Sequence, residues 1–251
     1  MHRLMKPAIP GLAILTSFAF IFATTKHEAN AKVSVTAAAP VSETTVSNEG
    51  AAESEAAAIY TEMNLGSIGL KQDVFSTAMQ CFKKLVSKGA VSNDDLITIA
   101  DFSQPSTQKR LYVLDVQTKK VLFNTLVAHG KNTGALMAKN FSNNASSLQS
   151  SPGFYVTEDV YIGDNGYSLR INGLERNIND NALNRAVVMH GAPYVSESFA
   201  NGIGYLGRSW GCPAVPVAYH KAIINTIKGG SCLFIYTTEN NYLNRSTVLN
   251  S

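Results

Sequence analysis

The chain has 251 residues, of which 45% are hydrophobic, and its formal net charge is +3. This length supports one good-sized hydrophobic core, or one domain with a small appendage. The lysines and arginines are scattered along the chain and form no basic stripe. The composition therefore argues against a nucleic-acid partner.

The N-terminal segment predicts an exported protein. Arg3 and Lys6 precede an apolar run over residues 8–23, and the small residues of Ala29-Asn30-Ala31 follow it. This order is typical of a cleavable signal peptide, which we assign to residues 1–31. A single membrane anchor is the alternative, although the run is short for a span. We expect the protein in the periplasm or cell envelope, with membrane contact only through this segment if it stays uncleaved.

The next segments change from low complexity to helical periodicity. Residues 32–58 are rich in Ala, Ser, Thr, Val and Glu without an aromatic side chain, which predicts a flexible tether. A short helix over residues 51–63 is a second prediction that overlaps its end. In residues 71–88, apolar side chains recur at helical spacing and Gly89 follows at the expected cap position, which predicts a helix. We assign residues 59–95 to a helical appendage.

Beyond Asn93, short runs of β-branched and aromatic residues alternate with turn signals, which predicts strands. A short helix is predicted over residues 218–227 and a long Ser/Asn-rich loop over residues 141–151. Many short strands and few helices indicate a mainly β fold, a sandwich or a barrel. We assign residues 96–240 to the main domain and 241–251 to a C-terminal tail. The predicted strands cover residues 96–102, 110–115, 121–127, 154–162, 167–172, 186–190 and 233–237.

Three cysteines occur in the chain, so at least one stays unpaired in an oxidising compartment. Cys212, beside a glycine, is the predicted free thiol. Cys81 lies in a helical pattern and Cys232 opens an apolar run, so both are interpreted as small core residues. A bridge between Cys81 and Cys232 stays open, because the sequence does not show whether their backbones approach.

His190 and Cys212 are the candidate catalytic pair. Cys212 lies 22 positions after His190, and a glycine adjoins each of them, as Gly191 and Gly211. A neutral imidazole, with a pKa of about 6.5, can accept a thiol proton, and nearby backbone amides can stabilise an oxyanion. The missing side chain of Gly211 would let a carbonyl come close to that backbone. The pattern alone leaves open that the cysteine is a packing residue and the histidine a core residue.

These residues resemble the YkuD-type L,D-transpeptidase catalytic domain, in which a histidine-glycine step precedes Ser/Thr-His-Gly-Cys. The resemblance runs from about Leu96 to Tyr236, and residues 208–214 are closest to a variant branch with Arg-Ser-x-Gly-Cys-Pro-Ala. Trp210 replaces the second histidine of the common motif. His129 stands where many members have Ser or Thr. It is expected either to face the site as a polar group or to be a strand-end histidine bonded to backbone.

The resemblance implies a two-step acyl transfer on peptidoglycan stem peptides, with residues 96–240 as the catalytic domain. Cys212 would attack the carbonyl of an L-centre and release the terminal D-alanine, and the acyl group would pass to an amine or to water. His190 would take the thiol proton and the Gly191 carbonyl would orient its ring. Residues 209–212 would form the oxyanion and substrate wall. Arg208 would bind a substrate carboxylate, or else form a structural salt bridge.

No cofactor is expected from this scheme, and no metal, because the five histidines show no ligand spacing. Three other functions are weighed against the transpeptidase. One is a carboxypeptidase that uses the same acyl-enzyme with water as acceptor. A papain-like peptidase is disfavoured, because such chains place the cysteine before the histidine. A non-catalytic wall-binding module of the same fold is the third, suggested by Trp210.

Overall fold

The computed structural model describes residues 48–250, and its helices and strands belong to one compact unit. No helix within that range is long and apolar enough to cross a membrane. The helices are α1 (Asn48–Glu62), α2 (Gln72–Ser87), α3 (Glu197–Ile203), α4 (His220–Ile227) and α5 (Asn240–Arg245), with a 3-10 helix at Leu65–Ile68. The strands are β1 (Leu96–Asp101), β2 (Leu111–Asp115), β3 (Lys120–Thr125), β4 (Gly153–Gly163), β5 (Gly166–Gly173), β6 (Val188–Ala192), β7 (Ala214–Pro216) and β8 (Cys232–Tyr236).

The eight strands form one sheet in the order β3-β2-β1-β8-β4-β5-β6-β7. The β1–β8 and β6–β7 pairs are parallel, and the other neighbours are antiparallel. Ala128, just beyond β3, forms a bridge with Ala214 in β7, so the two ends of the sheet meet. The sheet therefore nearly closes into a barrel, and the prediction of a mainly β, barrel-like fold is confirmed.

Both faces of the sheet are covered, because successive strand residues point to opposite sides. In β2, Tyr112 and Leu114 join a core that also contains Phe75 of α2 and Ile59 of α1. Val113, between them, joins the second core on the other face, where the buried residues of α4 pack. The helices of the predicted appendage, residues 59–95, complete this core together with the sheet.

The helix α1 begins inside the segment predicted as a flexible tether. That prediction is therefore wrong for residues 48–58, which are helical. Alanine has the highest helix propensity, and the alanines of this segment favour a helix without an aromatic residue. Ala56 and Ile59 are buried three residues apart on one face of the helix, and Met63, just past its end, is buried four residues further on. The shorter predicted helix, residues 51–63, is confirmed. The predicted signal peptide and residues 32–47 lie outside the described residues.

The segment predicted as a C-terminal tail is packed against the domain. Tyr242 of α5 is 2% exposed and joins the core that contains α1 and α2. The buried carboxylate of Glu175 accepts hydrogen bonds from the Phe154 amide at 2.8 Å, the Tyr242 hydroxyl at 3.3 Å and the Ser246 hydroxyl. Burial raises the pKa of this carboxyl group. Because the carboxylate joins three distant segments, residues 242–246 are part of the folded unit.

We expect Phe75→Ala to lower the free energy of unfolding by about 3–5 kcal/mol, because the side chain is fully buried and its loss leaves a cavity. Urea unfolding followed by far-UV circular dichroism and by near-UV circular dichroism of the buried tyrosines measures this, and the two transitions should coincide. Phe199→Ala is the control, because that ring is 38% exposed and should cost less than about 1 kcal/mol. Separate transitions for the helices and the sheet would show that residues 59–95 fold independently of the sheet.

Candidate active site

The histidine and cysteine of the predicted pair lie on neighbouring segments of the sheet. His190 is in β6 and is the parallel partner of Ala214 in β7, two residues beyond Cys212. Val188 lies two residues before His190, and its amide is 3.4 Å from Cys212 Sγ. The fold thus brings together two sequence motifs that are separated by α3 and its flanking loops.

The Cys212 thiol is almost covered, with 8% of the residue exposed. Its sulfur accepts a hydrogen bond from the Val188 amide, and the S–H group points to the Ala186 carbonyl at 3.8 Å. Burial raises the pKa of the thiol, while the Val188 amide, the Arg185 guanidinium and the Cys212 amide lower it in part. The resting group is therefore a neutral thiol with positive and hydrogen-bonding groups ready beside the sulfur.

The imidazole of His190 has the tautomer that a general base needs. Its Nδ1 lies 3.0 Å from the carbonyl oxygen of Gly191. Because a carbonyl only accepts, Nδ1 carries the hydrogen in the neutral ring and Nε2 is left as the proton acceptor. Burial lowers the pKa of His190, and His220 lowers it further. The contact predicted between Gly191 and the ring is present.

Ser209 and Gly211 shape the backbone around Cys212. The Ser209 hydroxyl donates to the Cys212 carbonyl at 2.6 Å and accepts from the Gly211 amide at 3.1 Å. The Gly211 amide is therefore engaged by Ser209. The Cys212 amide, which lies beside its own sulfur, is the better placed candidate for an oxyanion donor. Ser150, which the sequence reasoning missed, donates from its hydroxyl to the Gly211 carbonyl at 2.9 Å.

Gly211 has a conformation and a packing environment that exclude a side chain. Its φ is +130°, and a Cβ built on it would lie 2.8 Å from the Gln149 carbonyl oxygen. We expect Gly211→Ala to lower kcat/KM by about 100-fold, because the Cys212 backbone must shift to relieve this contact. Turnover of a stem peptide, the substrate that the family resemblance implies, measures the effect. Gly202→Ala, at an open position in α3, is the matched control and should leave turnover unchanged. Equal turnover in both variants would contradict the prediction.

Arg208 and Trp210 precede the candidate nucleophile in the same short motif. Trp210 is 79% exposed, so its indole is free to contact a bound molecule. Arg208 is half-buried, lies over the Tyr205 ring at 5.1 Å, and donates to the Lys131 and Gly134 carbonyls at 3.4 and 3.3 Å. These backbone contacts are long, and a carboxylate could replace them as a stronger partner. The predicted structural salt bridge of Arg208 is not found among the described residues.

Both ring nitrogens of His129, which was predicted as a polar group facing the site or as a strand-end histidine, are bonded inside the protein. His129 is 1% exposed. Arg110, which is fully buried, donates from Nη2 to His129 Nδ1 at 2.7 Å, and His129 Nε2 lies 3.2 Å from the Gly134 carbonyl. Because arginine only donates, His129 is neutral with its hydrogen on Nε2. Burial and the charge of Arg110 lower the pKa of His129 to about 3.

The Arg110–His129 pair is connected to the candidate site through the backbone of His129 and Ser209. The His129 carbonyl accepts from the Ser209 amide at 3.1 Å, and the adjacent residue Gly130 forms a bridge with Ser209. Burial lowers the pKa of Arg110 to about 9. His129 bonds a backbone carbonyl, that of Gly134, as the alternative of a strand-end histidine bonded to backbone expects, and it also bonds the Arg110 side chain.

Arg185 is a second residue that the sequence reasoning missed. It lies five positions before His190, and its Nη2 would lie 3.3 Å from a Cβ built on Gly211. It bonds to four groups of the Ser/Asn-rich loop predicted over residues 141–151, which is irregular as expected. No sequence motif marks this arginine, because its partners are 34 to 43 residues away along the chain.

The described part of the chain contains no disulfide and no cluster of side chains that could hold a metal ion. Cys81, Cys212 and Cys232 are all free and buried. Burial raises the pKa of the Cys81 thiol to about 11. Within residues 48–250, no group of three or more His, Cys, Asp or Glu side chains is arranged to hold a metal ion.

Comparison with known proteins identifies the domain. Residues 67–236 match the family model described as the L,D-transpeptidase catalytic domain. Solved structures similar to this chain include an L,D-transpeptidase from Mycobacterium smegmatis, with 14% identity and a TM-score of 0.36 over 57% of this chain and 59% of that one. One from Stackebrandtia nassauensis has 14% identity and a TM-score of 0.35 over 66% and 68%. The helical cell shape determining protein Pgp2 from Campylobacter jejuni has 15% identity and a TM-score of 0.37 over 64% and 54%.

The similarity to the Mycobacterium smegmatis structure spans about six tenths of the length of that protein. Comparison with curated proteins finds no match to this chain. The family model covers most of the sequence, including β1 to β8, His190 and Cys212. The chain therefore belongs to the L,D-transpeptidase catalytic domain family.

Proposed function

We propose that this protein is an exported cysteine acyltransferase that acts on peptidoglycan stem peptides. The observation that carries the proposal is the pairing of two neighbouring segments inside the matched domain. One carries the Cys212 thiol, which lies between the Val188 amide and the Ala186 carbonyl, and the other, β6, presents a neutral imidazole whose Nδ1 is fixed by Gly191. A thiol and a correctly oriented base are the two groups that nucleophilic acyl transfer requires.

The first step forms a thioester. His190 Nε2 accepts the proton of the Cys212 thiol, and the sulfur attacks the carbonyl carbon of an L-centre in the stem peptide. The developing oxyanion is stabilised by backbone amide hydrogens, for which the Cys212 amide is the proposed donor. The C–N bond to the terminal D-alanine then breaks, and the imidazolium returns its proton to the leaving amine.

The second step removes the acyl group from sulfur. An amine of another stem peptide attacks the thioester carbonyl, His190 accepts the amine proton, and the thiol is regenerated. Water in place of the amine would give a carboxypeptidase. The exposed Trp210 and the half-buried Arg208 form the proposed substrate wall, with Arg208 placed to pair with a carboxylate of the stem.

Access to the sulfur requires movement of the residues around it. Cys212 is 8% exposed and His190 is 3% exposed. A carbonyl carbon must come within about 3.5 Å of the sulfur before reaction. The proposed reaction therefore includes a displacement of surrounding side chains or loop residues when substrate binds.

Export is part of the proposal and rests on the N-terminal sequence. A signal peptide over residues 1–31 would carry the protein to the compartment in which peptidoglycan is accessible. The folded unit that acts there begins at or before α1, because α1 and α2 complete a core with the sheet.

Mass spectrometry of products from a purified disaccharide tetrapeptide tests the proposed function. A cross-linked dimer that has lost one D-alanine supports the transpeptidase, and a free tripeptide identifies water as the acceptor. Binding of the tetrapeptide without a covalent adduct on Cys212 and without any product would identify a wall-binding module and overturn the proposal.

A further inference from the structure

Arg185 connects the candidate nucleophile to the Ser/Asn-rich loop. The residue is half-buried and precedes Ala186, whose carbonyl accepts from the Cys212 thiol. Ala186 has a φ of +53°, a left-handed conformation that is sterically unfavourable for a non-glycine residue. Such a conformation turns the chain sharply at this point and persists only when surrounding contacts maintain it.

The guanidinium of Arg185 makes four hydrogen bonds, all to the loop over residues 142–151. Nη1 donates to the Ser142 carbonyl at 2.8 Å and to the Ser151 hydroxyl at 2.6 Å. Nη2 donates to the Gln149 carbonyl at 2.6 Å and to the Ser147 hydroxyl at 3.2 Å. The planar fork of the guanidinium suits several acceptors at once, which one ammonium group would satisfy less well.

The loop held in this way packs directly on the backbone of the site. A Cβ on Gly130 would lie 2.6 Å from the Leu148 carbonyl oxygen and 3.0 Å from Gly211 Cα. The Ser150 hydroxyl bridges the Gly130 amide, at 3.0 Å, and the Gly211 carbonyl, at 2.9 Å. Displacement of the loop would therefore change the position of the peptide that precedes Cys212.

The charge of Arg185 also lies close to the sulfur. Its Nη2 would lie 3.3 Å from a Cβ built on Gly211, the residue before the nucleophile. Arg185 lowers the pKa of the Cys212 thiol, against the larger effect of burial. Besides His190, the proposed proton acceptor, Tyr194 interacts with Cys212 and Tyr155 interacts with Arg185. Both phenols have raised pKa values and stay neutral at physiological pH, so Arg185 is the charged neighbour of the sulfur in the described structure.

We propose that Arg185 is a positioning residue of this site, which holds the loop over residues 142–151 against Gly211 and supplies the positive charge that favours the Cys212 thiolate. This role deepens the proposed function, since it rests on Cys212 being the nucleophile. The proton that leaves the thiol goes to His190 Nε2, and the guanidinium stays protonated throughout.

The charge is tested by the rate of Cys212 alkylation with iodoacetamide as a function of pH, measured on the intact protein by mass spectrometry of the Cys212 peptide. We expect Arg185→Gln to raise the midpoint by about one pH unit, which lowers the rate about tenfold below the midpoint. Arg176→Gln removes the same charge from an exposed side chain and is the control. Equal midpoints in the two variants would overturn the electrostatic role.

The hold on the loop is tested by hydrogen exchange of residues 142–151. Arg185→Lys keeps the charge but loses the fork, so we expect a midpoint within about 0.3 pH unit of wild type together with at least tenfold faster exchange. Exchange at the wild-type rate would overturn the positioning role. The lysine variant also carries the test if Arg185→Gln does not fold. Neither readout uses a stem peptide, so a failure of the proposed substrate would leave these results interpretable.

Discussion

Replacement of Cys212 by serine is expected to abolish turnover of a stem tetrapeptide while the fold stays intact. A hydroxyl fits the same contacts as the thiol, from the Val188 amide to the Ala186 carbonyl. Its pKa is far higher than that of a thiol, however, so a neutral imidazole cannot activate it to the same extent. We expect kcat to fall by a factor on the order of 10⁴ or more, the scale seen when a nucleophile is removed. Release of D-alanine measures it.

The matched control is a second buried thiol outside the site. Cys81→Ala removes a sulfur that is 1% exposed and bonded to the Val248 carbonyl at 3.6 Å. We expect this variant to lose about 1–2 kcal/mol of stability and to keep its turnover per folded molecule. Wild-type turnover in Cys212→Ser, or an equal loss in Cys81→Ala, would remove the chemical basis of the proposed function.

Local patterns in the sequence predicted most strands and the helix α2, because their apolar periodicity depends only on neighbouring residues. The predicted strand over residues 186–190 shows the limit of such patterns. The apolar run is continuous, but the amides of Ala186 and Val187 bond to the carbonyls of Leu183 and Ala182, and the strand starts at Val188. Hydrophobicity does not reveal a turn that is closed by backbone hydrogen bonds.

The sequence indicated the motif residues of the candidate site but not the residues that contact them from elsewhere in the fold. His190, Cys212 and their glycines were visible because chemistry and backbone freedom leave a local signature. The environment of His129 was not visible in the sequence, because the pairing of β2 and β3 brings its partner Arg110 next to it. Arg185 was missed for the same reason, since its role comes from a loop that follows β3 and precedes β4. Residues that act through tertiary contacts have no spacing rule.

The second large effect is expected for His190→Ala. Loss of the general base should lower kcat/KM by about 10²–10⁴-fold at neutral pH, because the thiol has a raised pKa and stays protonated without an acceptor. Steady-state turnover measures this, and added imidazole should restore part of the activity through the space that the ring leaves. Activity within threefold of wild type would contradict the role of His190 as the base.

The pH dependence of the proposed turnover by the wild-type protein gives an independent measure of the same group. The pKa of His190 is lowered from its usual value of 6.5 by burial, so the ring stays neutral, and able to accept a proton, below pH 6.5. The acid limb of kcat/KM should therefore lie below pH 6.5 and disappear in His190→Ala. The free energy of unfolding also decreases as the pH falls, since the folded state binds the proton of His190 less readily than the unfolded chain does. The stabilisation associated with neutral His190 and His129 is present above pH 6.5 and is lost as the pH falls. His129, with a pKa of about 3, continues this loss into more acidic solution. An acid limb of kcat/KM at or above pH 7 would be inconsistent with an imidazole whose pKa is lowered by burial, and would contradict the assignment of His190 as the titrating base.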